Sequence, residues 1–267
     1  MDALAARRIV VRLRARWDDC DALGHVNNAT YLSLARAATD EGLAALGARD
    51  VLAGARLAEA ELAYREPVRA GDAIDIRLQV KDLDLATLAL TYDFEVGGRA
   101  CAYGTARWLR GGEPLVAALD APERDAGGAP FVTWHRVRSY EVGMNGEEKP
   151  AAILQWLEHA VFLAAESVGW TRERMRDANF VTLQAGHHLS LGAPARAGDE
   201  LRIESRLIDV RRVSGIWRHE VRRSDGEIVA LDDSRGAFLD LEGTVRAAPQ
   251  GLLHALLAGP GAAGGVA

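Results

Sequence analysis

The chain has 267 residues, 49% of them hydrophobic and 26% charged, with a formal net charge of −6. That composition describes an ordinary globular chain of one or two domains, and the acidic balance argues against a non-specific nucleic-acid footprint. No apolar run approaches the roughly 20 residues that span a bilayer, and residues 1–8 are too polar for a secretory signal, so no membrane span and a cytoplasmic location are expected. Two cysteines, Cys20 and Cys101, make no disulfide framework and suit a reducing compartment. Without a CxxC or HExxH string, no metal site and no cofactor are expected. Lys81 and Lys149 are the only lysines, which, with the high Ala and Gly content, reads as codon bias.

In chain order, residues 11–17 read as a β segment. It gives way to a helix after Asp21-Ala22-Leu23-Gly24-His25-Val26-Asn27-Asn28. Asn27 or Asn28 is the expected N-cap, since either side-chain oxygen can accept from an early backbone N–H. Tyr31, Leu34, Ala35 and Ala38 then share one helical face, and Gly47 is a suitable stop. Leu88, Leu90, Tyr92, Phe94 and Val96 alternate with Thr87, Ala89, Thr91, Asp93 and Glu95, the pattern of a half-buried strand. Gly97-Gly98 then turns into a strand over 101–109. Residues 111–130 hold Pro, Gly, Asp and Glu and read as a linker. Pro150 suits the first turn of a second helix carrying Leu154, Leu157, Val161, Ala164 and Val168. Asp225-Gly226 marks another hairpin into 228–231, and 248–267 reads as a tail, Gly/Ala-rich from 259 and in part disordered.

The chain is an internal duplication. Pro67-Val68-Arg69-Ala70-Gly71-Asp72 returns 127 residues later as Pro194-Ala195-Arg196-Ala197-Gly198-Asp199. Gly47 returns as Gly169, shifted by 122, and Gly98 as Gly226, shifted by 128. Chance would not keep both order and spacing. Each copy reads as a strand, a helix and four strands, here bounded as 1–110 and 131–247, joined by short turns that make the sheets mostly antiparallel and the class α+β. Both helices are apolar over much of their circumference, so each should be wrapped by its sheet.

Asp21 is the leading functional candidate. Asp often does no more than punctuate a strand end, and Asp18 and Asp19 read that way. Asp21, however, shares a turn with His25 at a helix start, where unpaired N–H groups and the positive end of the helix dipole gather. An acid there can work on a carbonyl that those N–H groups polarise. His25 is expected to hold the substrate or the Asp21 carboxylate, and Asn27 to fix the acid's rotamer. These three form the expected catalytic set. Gly24, which permits the turn, Asn28, whose N–H could face a developing oxyanion, and Tyr31, which reads first as core packing, form the expected substrate-binding set. Cys20 reads as a small buried hydrophobe rather than a nucleophile. In the second copy the shift of 122 puts Gly143 at the place of Asp21 and Glu147 at that of His25. Glu158, His159, His187 and His188 are further candidates there, each structural on the simpler reading. Strand alternation puts His187 and His188 on opposite sheet faces.

Asp21, Gly24 and Val26, with Tyr31-Leu32 on the helix, resemble the active-site segment of hotdog-fold thioesterases of the 4-hydroxybenzoyl-CoA/YbgC type. Gly24-His25-Val26-Asn27-Asn28 is the form common in fatty acyl-CoA and acyl-ACP thioesterases. The second copy is similar to the first hotdog unit of acyl-ACP thioesterases through Arg138-Ser139-Tyr140-Glu141-Val142-Gly143, Gly146 and residues 154–169. Together the resemblances cover about residues 9–110 and 134–245. They imply a tandem (double) hotdog, each antiparallel sheet wrapping a central helix, with the second unit degenerate. They also imply hydrolysis of acyl-CoA or acyl-ACP within fatty acid metabolism, with Asp21 as nucleophile or general base. Arg36 stands where many members carry a helical Glu. The reversed order of the two units, and Leu23 where acyl-ACP enzymes usually have Asn, point to acyl-CoA. The fold's functional unit is a hotdog pair, which the duplication would supply within one chain, with one principal site near where the halves meet and room for a further homodimer. A non-catalytic acyl-thioester-binding protein and a hotdog enoyl-thioester hydratase or dehydratase remain as alternatives.

Overall fold

The computed structural model describes residues 8–110 and 130–259. The expected linker up to residue 129 and the tail beyond residue 259 lie outside the described residues. The chain divides into two compact units, unit 1 holding Met1–Ala117 with His188–Leu191, and unit 2 holding Ala118–His187 with Gly192–Ala267. No helix among the described residues is long and apolar enough to cross a membrane.

Unit 1 runs β1 (Arg8–Arg14), α1 (Thr30–Ala45), β2 (Arg56–Tyr64), β3 (Ala73–Leu83), β4 (Thr87–Val96) and β5 (Arg99–Leu109). The strands lie in the order β1-β3-β4-β5-β2, with antiparallel pairings throughout. β4 buries Leu88, Leu90, Tyr92 and Phe94, the alternation read from the sequence. α1 buries Tyr31, Leu34, Ala35 and Ala38, again as read. Gly42 lets the helix approach the sheet: a Cβ there would stand 3.0 Å from Ile9 Cγ2 and 3.4 Å from Leu78 Cδ1.

Two boundaries differ from the sequence reading. β1 ends at Arg14 rather than reaching residue 17, because Trp17–Asp19 coil into a single 3-10 turn. α1 starts at Thr30 behind Ala29, and neither Asn27 nor Asn28 is its N-cap. The Asn27 side chain instead takes the N–H of Ala29 at 2.9 Å and its carbonyl takes that of Thr30 at 2.9 Å. A short polar side chain that bonds two residues ahead competes with helix formation and delays it.

The second copy contributes β6 (Phe131–Arg136), α2 (Pro150–Ser167), α3 (Arg172–Asp177), β7 (Val181–Leu191), β8 (Glu200–Arg211), β9 (Ser214–Arg223), β10 (Ile228–Leu239) and α4 (Gln250–Ala258), and all but the His188–Leu191 end of β7 lies in unit 2. The strand order is β7-β10-β9-β8-β6, and the β6–β8, β8–β9 and β9–β10 pairings are antiparallel. α3 lies where the repeat shift grows from 122 to 127, at the place of the shorter 3-10 turn Arg49–Leu52 of unit 1. α4 falls within the stretch read as a tail, yet Leu252 packs with Ala165, Trp170, Phe180 and Phe238 in the core. Its Leu253 and Leu256 also pack against the cluster of Ala164, Leu207 and Trp217. Both long helices end alike. Gly47 (φ +69) donates to Ala44 and Ala48 to Leu43, while Gly169 (φ +79) donates to Glu166 and Trp170 to Ala165. This paired bonding around a left-handed glycine satisfies the last carbonyls. Each unit is thus a hotdog, and the chain a tandem of two.

Candidate active site

In unit 1 the segment between β1 and α1 folds into a closed loop. The Asp21 N–H donates to the His25 carbonyl at 2.8 Å, and Gly24 donates back to Asp21 at 3.0 Å with φ +75. Asp21 Oδ1 accepts from the N–H groups of Leu23 (2.8 Å) and His25 (3.3 Å). Asp21 Oδ2 has no donor among the described residues. The carboxylate is therefore anchored by one oxygen and presents the other. His25 reaches it through its backbone rather than its ring, which makes no hydrogen bond among the described residues. Of the two roles expected of His25, holding the Asp21 carboxylate or the substrate, the first is filled by its backbone N–H.

The loop is braced from three sides. The repeated Pro-x-Arg-Ala-Gly-Asp segment forms a turn in which Asp72 Oδ2 accepts the Arg69 N–H at 2.8 Å, and Val68 accepts the Val26 N–H at 2.8 Å. Asp19, only 7% exposed, accepts from the Arg16 N–H at 2.8 Å and from its guanidinium at 2.8 and 3.2 Å. The Asp19 carbonyl accepts from Asn27 at 2.8 Å. Burial works against ionisation of Asp19, but the Arg16 hydrogen bonds and charge outweigh it and hold the carboxyl below the usual range. Asp19 thus clamps the loop rather than punctuating a strand, while Asp18 is exposed. The third brace is Tyr64 on β2, whose hydroxyl donates to the Asn28 carbonyl at 2.9 Å. The sequence reading missed it; only β2's position beside the loop reveals it. The Asn28 N–H has no acceptor among the described residues.

Tyr31, 3% exposed, packs edge-on against Tyr64 and Phe94 with ring centroids 5.3 and 5.1 Å apart. Burial raises its phenol well above the usual range. Cys20 is half-buried, and burial together with the Asp19 and Asp21 charges raises its thiol pKa, which suits the unreactive reading. Arg36 pairs with Asp40 at 2.9 Å and lies 5.1 Å from the Trp108 ring centre.

The second copy keeps the frame and lacks the acid. Gly143 donates to Glu147 at 2.8 Å and Gly146 to Gly143 at 3.0 Å, matching Asp21 and Gly24 bond for bond. Glu141 replaces Asp19, accepting from Arg138 N–H at 2.7 Å and Trp156 Nε1 at 3.0 Å, with His135 Nε2 at 2.9 Å. Asn145 Oδ1 accepts the Glu147 N–H at 3.2 Å and stands 3.1 Å from where a Cβ on Gly143 would lie. A neutral amide therefore takes over the anchoring that Asp21 Oδ1 performs. Glu158 is half-buried and His159 exposed on α2. His187 is buried in unit 2, 2.9 Å from Asp232 Oδ2, whereas His188, which belongs to unit 1, has a 59% exposed side chain and lies 3.2 Å from Glu59 of the same unit. The two thus face opposite ways, as alternation requires. No cluster of three metal-ligating side chains occurs among the described residues.

A search of curated proteins gave no match. Among solved structures, an inferred oleoyl thioesterase from Lactobacillus plantarum is 13% identical with a TM-score of 0.69, covering 91% of this chain and 100% of that one. The 12:0-ACP thioesterase of Umbellularia californica gives 0.64 at 7% identity, covering 87% and 94%. An acyl-ACP thioesterase from Bacteroides thetaiotaomicron gives 0.61 at 12%, covering 86% and 97%. Those likenesses carry the tandem hotdog fold. The sequence profile of the thioesterase-like superfamily matches residues 15–109 and 137–256, most of both copies, and the chain belongs to that superfamily.

Proposed function

We propose that the protein hydrolyses acyl-CoA thioesters to free acid and thiol at the unit 1 loop. The observation that carries this reading is Asp21, whose Oδ1 is fixed by two backbone N–H groups while Oδ2 is left without a donor among the described residues. A carboxylate held in one orientation with a free lone pair suits a base or nucleophile. The Asn28 N–H is the donor available to a tetrahedral oxyanion. Oδ2 takes the proton of a water as the water oxygen bonds to the carbonyl carbon. The oxyanion collapses, the C–S bond breaks, and the departing thiolate receives that proton from Asp21. If Oδ2 attacks directly instead, the C–S bond breaks as an acyl–Asp21 anhydride forms, and water then cleaves the anhydride to the free acid and the Asp21 carboxylate, with one proton going to the departed thiolate. Single turnover in ¹⁸O-water tests the second route, since water attack at the Asp21 carbonyl of the anhydride labels Asp21, which the general-base route never does.

His25 and Asn27 act as the loop's polar lining, Gly24 sets its turn, and Tyr31 backs it. Acyl-CoA is preferred over acyl-ACP because Leu23 stands where the acyl-ACP thioesterases that the loop resembles usually carry Asn. The test is thiol release from short, medium, long and aromatic acyl-CoAs and from acyl-ACP, comparing wild type with Asp21→Asn. A general base is worth about 10²–10⁴ in rate, so turnover should fall by that factor while ligand binding persists. Equal turnover in both would remove Asp21 from the mechanism. Ligand binding with no turnover would favour a thioester-binding protein, and hydration of an enoyl thioester a hydratase.

A further inference from the structure

We infer that Tyr64 is the positioning residue of the oxyanion donor, holding the Asn28 N–H in place from the sheet. This rests on the reading of Asp21 and Asn28 proposed above. Two consecutive peptide groups form the donor's surroundings. In the one joining residues 28 and 29, the carbonyl accepts the Tyr64 hydroxyl at 2.9 Å and, less closely, the Tyr31 N–H at 3.4 Å. The N–H of that same peptide donates to Asn27 Oδ1 at 2.9 Å. In the peptide joining 27 and 28, the carbonyl accepts from Thr30 at 2.9 Å. Three of the four polar atoms are therefore tied, and the fourth, the Asn28 N–H, is the one left to meet a ligand. The Tyr64 bond is the closer of the two on the Asn28 carbonyl, and it comes from β2 rather than from within the loop. The Tyr64 ring is itself fixed edge-on against Tyr31, with an interplanar angle of 62°. A donor whose neighbours are fixed before substrate arrives costs no reorganisation during reaction.

The second copy supplies an internal control. Its frame repeats the loop bond for bond: Lys149 donates to Glu141 at 2.8 Å as Asn27 does to Asp19, and Ala152 to Lys149 at 2.8 Å as Thr30 does to Asn27. By that match the place of Asn28 is taken by Pro150, which has no N–H at all. The place of Tyr64, shifted by 127, is taken by Leu191, which has no hydroxyl. The acid's place holds Gly143. Acid, donor and tyrosine hydroxyl are absent together, while the clamp at Glu141, the turn at Gly146 and the Arg196–Asp199 brace remain. A hydroxyl needed only to support the loop would have the same use in both copies. Tyr64 sorts with the chemistry instead.

Tyr64→Phe deletes the hydroxyl alone. Tyr92→Phe is the matched control: it removes another hydroxyl of the same unit, one that meets Thr39 Oγ1 at 2.9 Å in the core. We expect Tyr64→Phe to lower kcat by about 10- to 100-fold with KM within about twofold, since a misplaced or mobile group costs rate rather than ground-state binding. Amide exchange at Ala29, whose N–H donates to Asn27 Oδ1, should quicken in Tyr64→Phe, and Tyr92→Phe should keep wild-type kcat and wild-type exchange there. A Tyr64→Phe enzyme with wild-type kcat, alongside an Asp21→Asn enzyme that is dead, overturns the inference and leaves the hydrolase reading intact. A fall in kcat matched by Tyr92→Phe reduces Tyr64 to a structural role and overturns it too. If wild type releases no thiol, the hydrolase reading fails. Exchange at Ala29 then decides: unchanged in Tyr64→Phe, it overturns the positioning role; quickened, it upholds that role for a binding loop.

Discussion

Asp21 and Asp19 lie two residues apart and do opposite jobs. Asp21 keeps a carboxylate oxygen free, whereas Asp19 is saturated by Arg16 and buried. Only the folded chain separates them, because in sequence each is an Asp at a strand end. Asp19→Ala should leave the Arg16 N–H unpaired and release the loop, lowering stability by about 2 kcal/mol, less than a fully buried pair because Arg16 is largely exposed. Urea denaturation measures that loss, and turnover should fall with it because the loop that carries Asp21 loses its clamp to Arg16. Cys20→Ala, by contrast, should keep wild-type turnover in the thiol-release assay, since burial and the Asp19 and Asp21 charges disfavour its thiolate.

At the scale of the element, close approach decides which glycines matter. Gly104 on β5 lies opposite Leu62 of β2, and a Cβ there would stand 2.7 Å from the Glu61 carbonyl oxygen and 2.7 Å from Leu62 Cδ2. Backbone cannot yield as a flexible side chain can, so Gly104→Ala should cost about 1–3 kcal/mol, read as a lower thermal midpoint. The strands and hairpins were legible because alternation over β4 and the Gly97-Gly98 turn are local signals. The start of α1 was misplaced because the sequence shows which side chains can cap but not which N–H they will reach. Asn27 spends its oxygen on Ala29, before the helix begins.

At the scale of the whole molecule, the two copies share a sheet register but fill it differently. Across unit 1 one core row reads Leu78, Tyr92 and Gly104; the matching row of unit 2 reads Ser205, His219 and Asp232. His219 is 0% exposed, with Ser205 Oγ 2.8 Å from Nδ1 and Ser234 Oγ 3.0 Å from Nε2. Burial pushes its pKa down to about 4, against the pull of the Asp232 charge. The native imidazole therefore stays neutral where the unfolded one, near 6.5, already binds a proton. The stability this represents is fully present above about pH 6.5 and is lost as pH falls towards about 4, a change of about 3 kcal/mol. Trp217 stacks on His219 with ring centroids 6.3 Å apart, so urea midpoints followed by tryptophan fluorescence at pH 7, 5.5 and 4.5 should report the decline. A midpoint that stays level across that range would place the cause elsewhere. In unit 1 the corresponding tyrosine, pushed up to about 12 by burial, adds no such dependence.

The sequence alone determined the duplication, the class of the two units, the burial of β4 and of the α1 face, and the absence of the Asp21 acid from the second copy. Each of these rests on spacing or on residue identity, which a chain carries before it folds. Tertiary structure alone decided that Asp19 clamps the loop, that His25 meets the acid through its backbone, that α4 belongs to a core, and that Tyr64 grips the Asn28 peptide. Those outcomes depend on which groups distant in sequence arrive within hydrogen-bond reach, 36 residues apart for Tyr64 and Asn28. That pairing is set by sheet register and packing, which no local pattern of side chains encodes.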